Sequence, residues 1–145
     1  MKLKIIKVAT KRQLEQTFDL RKLVFVEEQE VPLEDEFDEL DTLDASCDHL
    51  LVTINGEPVG CGRVRVVDGV GKLERIVVKK EFRGQGLGNE IVMALEEIVK
   101  EKGLKQTKLH GQTHAEKFYV KLGYQTPSDV FLEDGIEHVV MKKDL

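Results

Sequence analysis

Residues Arg83-Gly84-Gln85-Gly86-Leu87-Gly88 put three glycines into five positions directly before a stretch with helical periodicity. Backbone N–H groups at a helix start have no intrahelical acceptors, and the helix dipole adds partial positive charge, so the segment can hold an anion. Glycines let phosphate oxygens come close, and Arg83 can add a charged contact. Spacing narrows the ligand. The dinucleotide pattern GxGxxG counted from Gly84 needs glycine at position 89, where Asn89 stands, and GxxxxGK followed by Ser or Thr is absent. What remains is Arg-x-x-Gly-x-Gly between a strand and an amphipathic helix, suited to a pyrophosphate; a merely tight turn needs fewer glycines. No metal-ligand cluster appears. His49, His110, His114 and His138 are scattered, and only His110 and His114 lie four apart, without a neighbouring cysteine or the HExxH glutamate.

The elements that must position this loop are legible in outline. LKIIKV reads as a short strand. Thr10 is a plausible N-cap for a helix through KRQLEQTFDLRKLVF, where Leu14, Phe18 and Phe25 with Leu20, Leu23 and Val24 form a helical stripe. Three β-rich runs follow between His49 and Val78, separated by Asn55-Gly56 and by Asp68 to Gly71, which are hairpin signals for an antiparallel meander. After the glycines, Leu87, Ile91, Leu95, Ile98 and Val99 lie at helical spacing, with Gly103 as a C-cap candidate. TKLHG reads as a strand, HAEKFYVKLG as a second helix ending at Gly123, and YQT with EHVVMKK as final strands around the EDG turn. The pattern predicts one α/β (α+β) domain over residues 1–145, with a mostly antiparallel sheet.

Composition bounds the rest. With 145 residues and 41% hydrophobic content, the chain has material for one core. No apolar run approaches the ~20 residues a bilayer crossing needs, and the start has no signal-peptide pattern, so no membrane is expected and a cytoplasmic location is. Cys47 and Cys61 form neither a CxxC pair nor a disulfide framework, which fits a reduced compartment. The net charge of -5 conceals a split: residues 27–48 hold eleven acids and no Lys or Arg. Removing those eleven from the 27 acids leaves 16 against 22 bases, so the remainder carries about +6. The split suits a polyanionic ligand on one side and a cationic one near the acidic stretch, or a plain solvated loop. Pro32 and dense like charge predict an irregular segment holding one short helix at most. Without a basic run interleaved with aromatics, and without Trp, nucleic acid is not an expected partner.

IVVKKEFRGQGLGNEIV resembles the coenzyme A signature of the GNAT N-acetyltransferase superfamily, and QTHAEKFYVKLGYQ is similar to its second signature, Asn-x-x-Ala-x-x-Phe-Tyr with Gly-Phe or Gly-Tyr after it. Ala115, Phe118, Tyr119, Gly123 and Tyr124 match, whereas Gln112 stands where Asn is usual. LRKLVFVEEQEVP, GKLERIVV and FLEDGIEHVVM resemble the ElaA-like and YjcF-like subgroup. The resemblance implies a GNAT fold: a central, mostly antiparallel sheet of six or seven strands whose fourth and fifth strands splay apart, flanked by about four helices. It implies acetyl-coenzyme A as co-substrate and an amine as acceptor, with a homodimer left open.

Carried over by position, Ile76, Val77 and Val78 would pair with the pantetheine, and Arg83, Gly84, Gln85, Gly86, Leu87 and Gly88 would wrap the pyrophosphate, joined by Gln112, Phe118 and Tyr119. Direct transfer needs a neutral amine and a proton for the departing thiolate. Tyr119 is the expected acid. Glu74 on the fourth strand is the first expected base, unless an arginine of the sheet claims it, and His110 across the slot is the second. Arg21, Phe25, Glu28, Gln29, His110 and His138 are expected to line the acceptor site, with an acidic rim around residues 34–48 drawing an ammonium group toward it. Two other readings stay open: a sensor of acyl-coenzyme A without turnover, and an acyl-homoserine-lactone synthase. Segments around Arg21-x-x-Val24-Phe25 and Glu34-Asp35-x-Phe37-Asp38 resemble the latter family, whose members are longer and lack this loop.

Overall fold

Asn55-Gly56, Asp68-Gly69 and Asp134-Gly135 all take positive φ, 51° and 82°, 51° and 77°, 52° and 77°, as two-residue hairpin turns with matching strand twist require. They build most of the sheet. In this computed structural model, which describes residues 2–126 and 129–145, the strands are β1 (Leu3–Lys7), β2 (Cys47–Ile54), β3 (Glu57–Val67), β4 (Val70–Val78), β5 (Gln106–Gln112), β6 (Phe131–Glu133) and β7 (Ile136–Asp144). Among the described residues they form one seven-stranded sheet in the order β1-β2-β3-β4-β5-β7-β6. All neighbours run antiparallel except β4 and β5. The strand expected at YQT is a single bridge, Gln125 to Lys142; FLE forms the edge strand instead, because the Asp134-Gly135 turn pairs it with β7.

Helix α1 (Lys11–Arg21) starts at Thr10 with a capping box: the Thr10 hydroxyl accepts from Gln13 N at 3.2 Å, and the Gln13 side chain accepts from Thr10 N at 3.1 Å. The expected helix through Phe25 departs from regular form after Arg21. Lys22–Glu28 continue in wider π-helical turns, a form that recurs at functional sites, and this π-turn swings Phe25, Glu28 and Gln29 toward the sheet centre. One turn, α2 (Leu33–Glu36), interrupts the acidic segment. Helix α3 (Leu87–Glu101) lays Leu87, Ile91, Val92, Leu95, Ile98 and Val99 on one sheet face, each worth about 2 kcal/mol of burial, and stops where Gly103 turns left-handed at φ 77°. The short α4 (Glu116–Lys121) follows β5. On the other face, Leu20 and Val24 pack on Leu51, Cys61 and Val77.

Two backbone features open the sheet centre. Strands β4 and β5 pair only from Gly71–Thr107 to Leu73–Leu109 and then part. Where they part, Arg75 sits at φ 54° in a bulge: between the pairs Arg63–Glu74 and Cys61–Val77, β4 carries one residue more than β3. Beyond Leu73 the free edge of β4 faces that of β5, whose other edge is held by β7 through Gln112–His138.

Candidate active site

The splayed edges enclose a cavity of about 440 Å³, roofed on one side by the π-turn and on the other by the β6–β7 hairpin. Ile76, Tyr119, His110, Gln112, Arg83, Phe25, Glu28, Gln29, His138 and Glu74 all line it, so the structure gathers in one place residues spread over more than a hundred positions. Val77 does not; its side chain is buried under α1. Arg21 does not either. It is 1% exposed, with Nε donating to Glu36 at 2.9 Å and Nη1 to Asp41 at 2.6 Å, so its expected acceptor contact is replaced by an internal ion pair.

The glycine loop meets the requirements of an anion cradle. Gly84 and Gly86 adopt φ of 80° and 83°, and an added Cβ at either would meet nothing within 4 Å, so the space before α3 is open. Gly86 is the N-cap, and no side chain caps the helix start, which leaves the first N–H groups for a ligand. Gly88 serves differently: a Cβ there would lie 3.2 Å from the Phe118 ring, so this glycine admits the aromatic of α4. Phe118 stacks edge-on against Tyr119 at 5.0 Å and is absent from the cavity wall.

Arg83 is already engaged. Its two Nη atoms donate to Glu28 at 2.7 and 2.9 Å and its Nε to the Val78 carbonyl at 2.9 Å. Beyond it, Gln112 donates to Gln29 at 2.9 Å, so the position that differs from the usual Asn tethers β5 to the π-turn. One contact runs from the π-turn to the loop after β4 and the other to the end of β5. The Arg83–Glu28 pair is more than a third exposed on both sides, and such pairs contribute about 0–1 kcal/mol. A pyrophosphate held at this loop would compete with Glu28 for the same guanidinium. Glu28→Ala is therefore expected to tighten coenzyme A binding by about two- to fivefold, read by calorimetry; weaker binding would mean that Glu28 holds Arg83 in place for the ligand.

The two expected bases differ sharply. Glu74 is nearly buried and its oxygens are committed: Arg63 and Arg65 each reach it at 3.2 Å and Lys72 at 3.0 Å. Burial alone would raise its pKa, yet the charges of Arg63 and Lys72 hold it below the usual carboxylate range. A carboxylate so stabilised is a poor proton acceptor, so the expectation for Glu74 gives way to its pairing with the sheet arginines. His110 is a quarter exposed and, among the described residues, contacts a single carboxylate, Glu133, at 3.0 Å through Nδ1, with the other ring nitrogen unengaged. Across the slot, the Tyr119 hydroxyl has no hydrogen-bond partner among the described residues, and burial pushes its pKa up to about 12, so the phenol keeps its proton at neutral pH.

Three acids of the expected rim are spent on internal pairs, while Glu34, Asp35, Glu39 and Asp44 are exposed. Glu36, Asp38 and Asp41 turn inward onto Arg21, Arg63 and Arg75, with Arg63 donating to Asp38 at 2.7 Å and Asp41 at 2.9 Å, and Arg75 reaching Glu36 at 3.1 Å. The segments that resemble acyl-homoserine-lactone synthases supply this network, with Phe18 and Phe37 flanking the Arg21 guanidinium. Sequence reasoning missed Glu133, which belongs to the EDG hairpin, and Lys72 and Arg75, which also line the cavity. The hairpin signal was readable, but its place beside His110 depends on the pairing of β5 with β7 and of β7 with β6. Among the described residues no cluster fit for a metal occurs, and no helix is long and apolar enough to cross a membrane.

Comparison with known proteins bears on this geometry. The family model for the Acetyltransferase (GNAT) domain matches residues 23–145. The N-acetyltransferase YjcF of Bacillus subtilis strain 168 is 43% identical, over 98% of this chain and all of YjcF. The structure superposes on an acyl-CoA N-acyltransferase of Pseudomonas aeruginosa with a TM-score of 0.87 and 27% identity, covering 98% of this chain and 99% of that one. It also superposes on ElaA of Escherichia coli with a TM-score of 0.85 and 27% identity, covering 98% of each.

Proposed function

Because the chain belongs to the GNAT acetyltransferase family, we propose that it transfers an acetyl group directly to an amine held in the cavity between β4 and β5, with His110 as the base and Tyr119 as the proton donor. Acetyl-coenzyme A is the co-substrate. The observation that carries the reading is that an imidazole with one unengaged nitrogen and a phenol with an unpaired, protonated hydroxyl line the same cavity, where the strand edges separate.

Arg83 and the N–H groups from Gly84 to Gly88 would hold the pyrophosphate, and the free edge of β4 at Ile76 to Val78 would pair with the pantetheine amides. When bound, the thioester supplies an activated acyl carbon and a thiolate leaving group. An amine is mostly protonated at neutral pH and reacts only once deprotonated, and imidazole is the side chain suited to accepting that proton near pH 7. Phe25 and Ile76 offer apolar walls to the acceptor, and His138 lies beside His110 at the hairpin end.

A thiol-release assay over a panel of amines tests the activity. Turnover with at least one amine is expected. Retained coenzyme A binding with no thiol release for any amine would instead favour a sensor of acyl-coenzyme A. With an acceptor in hand, Tyr119→Phe is expected to lower kcat by about 100-fold, a common size for a general acid, while acetyl-coenzyme A affinity stays within about threefold, since the hydroxyl has no structural partner to lose. An unchanged kcat would remove Tyr119 from the proton path.

A further inference from the structure

We infer that Glu133 is the positioning residue of the acceptor site, fixing the His110 ring so that its Nε2 lone pair is presented to the incoming amine. The inference rests on the reading of His110 as the base. It begins with hydrogen-bond polarity. An ionised carboxylate only accepts, so the 3.0 Å contact from His110 Nδ1 to Glu133 Oε1 places the ring hydrogen on Nδ1. A neutral ring then carries its lone pair on Nε2, the form a base needs. The ring is also held mechanically: Phe131 meets it edge-on at 5.2 Å and 83°.

The second oxygen of Glu133 is not spent in the same way. His138 donates from Nδ1 to the Ile136 carbonyl at 2.7 Å, so in its neutral form it too has its lone pair on Nε2, and that atom lies 3.6 Å from Glu133 Oε2. Two unprotonated atoms at that separation form no hydrogen bond. Glu133 therefore bonds His110 through one oxygen, and faces His138 with the other, ready to pair if His138 gains a proton. The carboxylate is 43% exposed, yet it lies below the usual range, first because of the His110 hydrogen bond. The β6–β7 hairpin that carries it pairs with β5 along the side away from β4, so the ring is oriented by an element outside the two splayed strands.

The test joins a spectroscopic reading to kinetics. In the wild type, two-dimensional ¹⁵N–¹H spectra of the imidazoles should show His110 with hydrogen on Nδ1; in Glu133→Ala they should show loss of that single tautomer. With an active amine, Glu133→Ala is expected to lower plateau kcat/KM by about 10- to 100-fold. The other charged or titratable groups lining the cavity near His110, namely Lys72 and Glu74 from β4, Asp134 and His138 from the hairpin and Tyr119 from α4, remain in place, so the change reads the loss of Glu133. Glu133→Gln keeps an acceptor without the charge, so it should hold the tautomer and retain the plateau within about fivefold. A merely structural clip would change melting temperature but not the tautomer. An unchanged His110 tautomer in Glu133→Ala overturns the inference. Full turnover in His110→Ala would instead remove the base assignment, and the tautomer reading separates that failure from the first.

Discussion

Arg63→Met is expected to cost about 3–5 kcal/mol of folding stability, the range found when one partner of a buried charge pair is removed. Arg63 is 1% exposed and bridges Asp38, Asp41 and Glu74 at 2.7, 2.9 and 3.2 Å, so its loss leaves three carboxylates facing one another around an apolar side chain. For a domain of this size, with total stability of about 5–15 kcal/mol, the melting temperature should fall by roughly 10–15 °C. The pH dependence gives the sign. The Arg63 hydrogen bond holds Asp38 well below the ordinary carboxylate range; burial would raise Asp41 and Glu74, but Arg21 for the first and Arg63 with Lys72 for the second keep both lowered. Groups depressed in the folded state stabilise it above their unfolded pKa of about 4 and lose that contribution as pH falls through the folded value. The wild type should therefore weaken in acid, and the deficit of Arg63→Met should be smaller at pH 3 than at pH 7. Glu36 runs the other way, raised first by burial, so its contribution eases as pH drops. Equal melting of variant and wild type would mean that the network contributes nothing net; the same deficit at both pH values would mean that its contribution does not depend on the ionisation of these carboxylates.

This network marks where sequence reasoning ran out. Turn chemistry is local, so Asn55-Gly56, Asp68-Gly69, the Thr10 cap and the glycines before α3 were all readable, as was a fold with splayed central strands once both signatures were in view. The acidic residues read as a solvated rim because nothing near them in the chain is basic. Their partners, Arg21, Arg63 and Arg75, come from a helix and two strands that meet only when the sheet forms. The preference for Glu74 over His110 as the expected base met a related limit. Both occupy the slot, but register places Arg63 directly opposite Glu74, and the bulge at Arg75 follows from a positive φ at a non-glycine residue that no local pattern signals. Glu133 needed two strand registers at once, β5 on β7 and β7 on β6.

Gly86→Asp is expected to weaken coenzyme A binding by at least about 100-fold, or roughly 2.7 kcal/mol, while the protein remains folded. The site is sensitive because everything offered to the pyrophosphate there is weak when taken alone: uncapped N–H groups, a partial helix charge and one half-exposed arginine. An aspartate at the N-cap engages those same N–H groups with its own carboxylate and repels the ligand. Folding should survive, since a Cβ at Gly86 meets nothing within 4 Å and Asp tolerates the left-handed region at a cost of about 1 kcal/mol, of which the new cap returns about a few tenths; the remainder is small beside the about 5–15 kcal/mol of a whole domain. Gly86→Asn separates the terms, because it imposes the same backbone cost and a similar cap without the charge. Its affinity should fall between wild type and Gly86→Asp when all three are titrated by calorimetry. If Gly86→Asp binds coenzyme A as tightly as wild type, the pyrophosphate does not sit at the start of α3. If Gly86→Asn loses as much as Gly86→Asp, the glycine is required for its conformation and the charge argument fails.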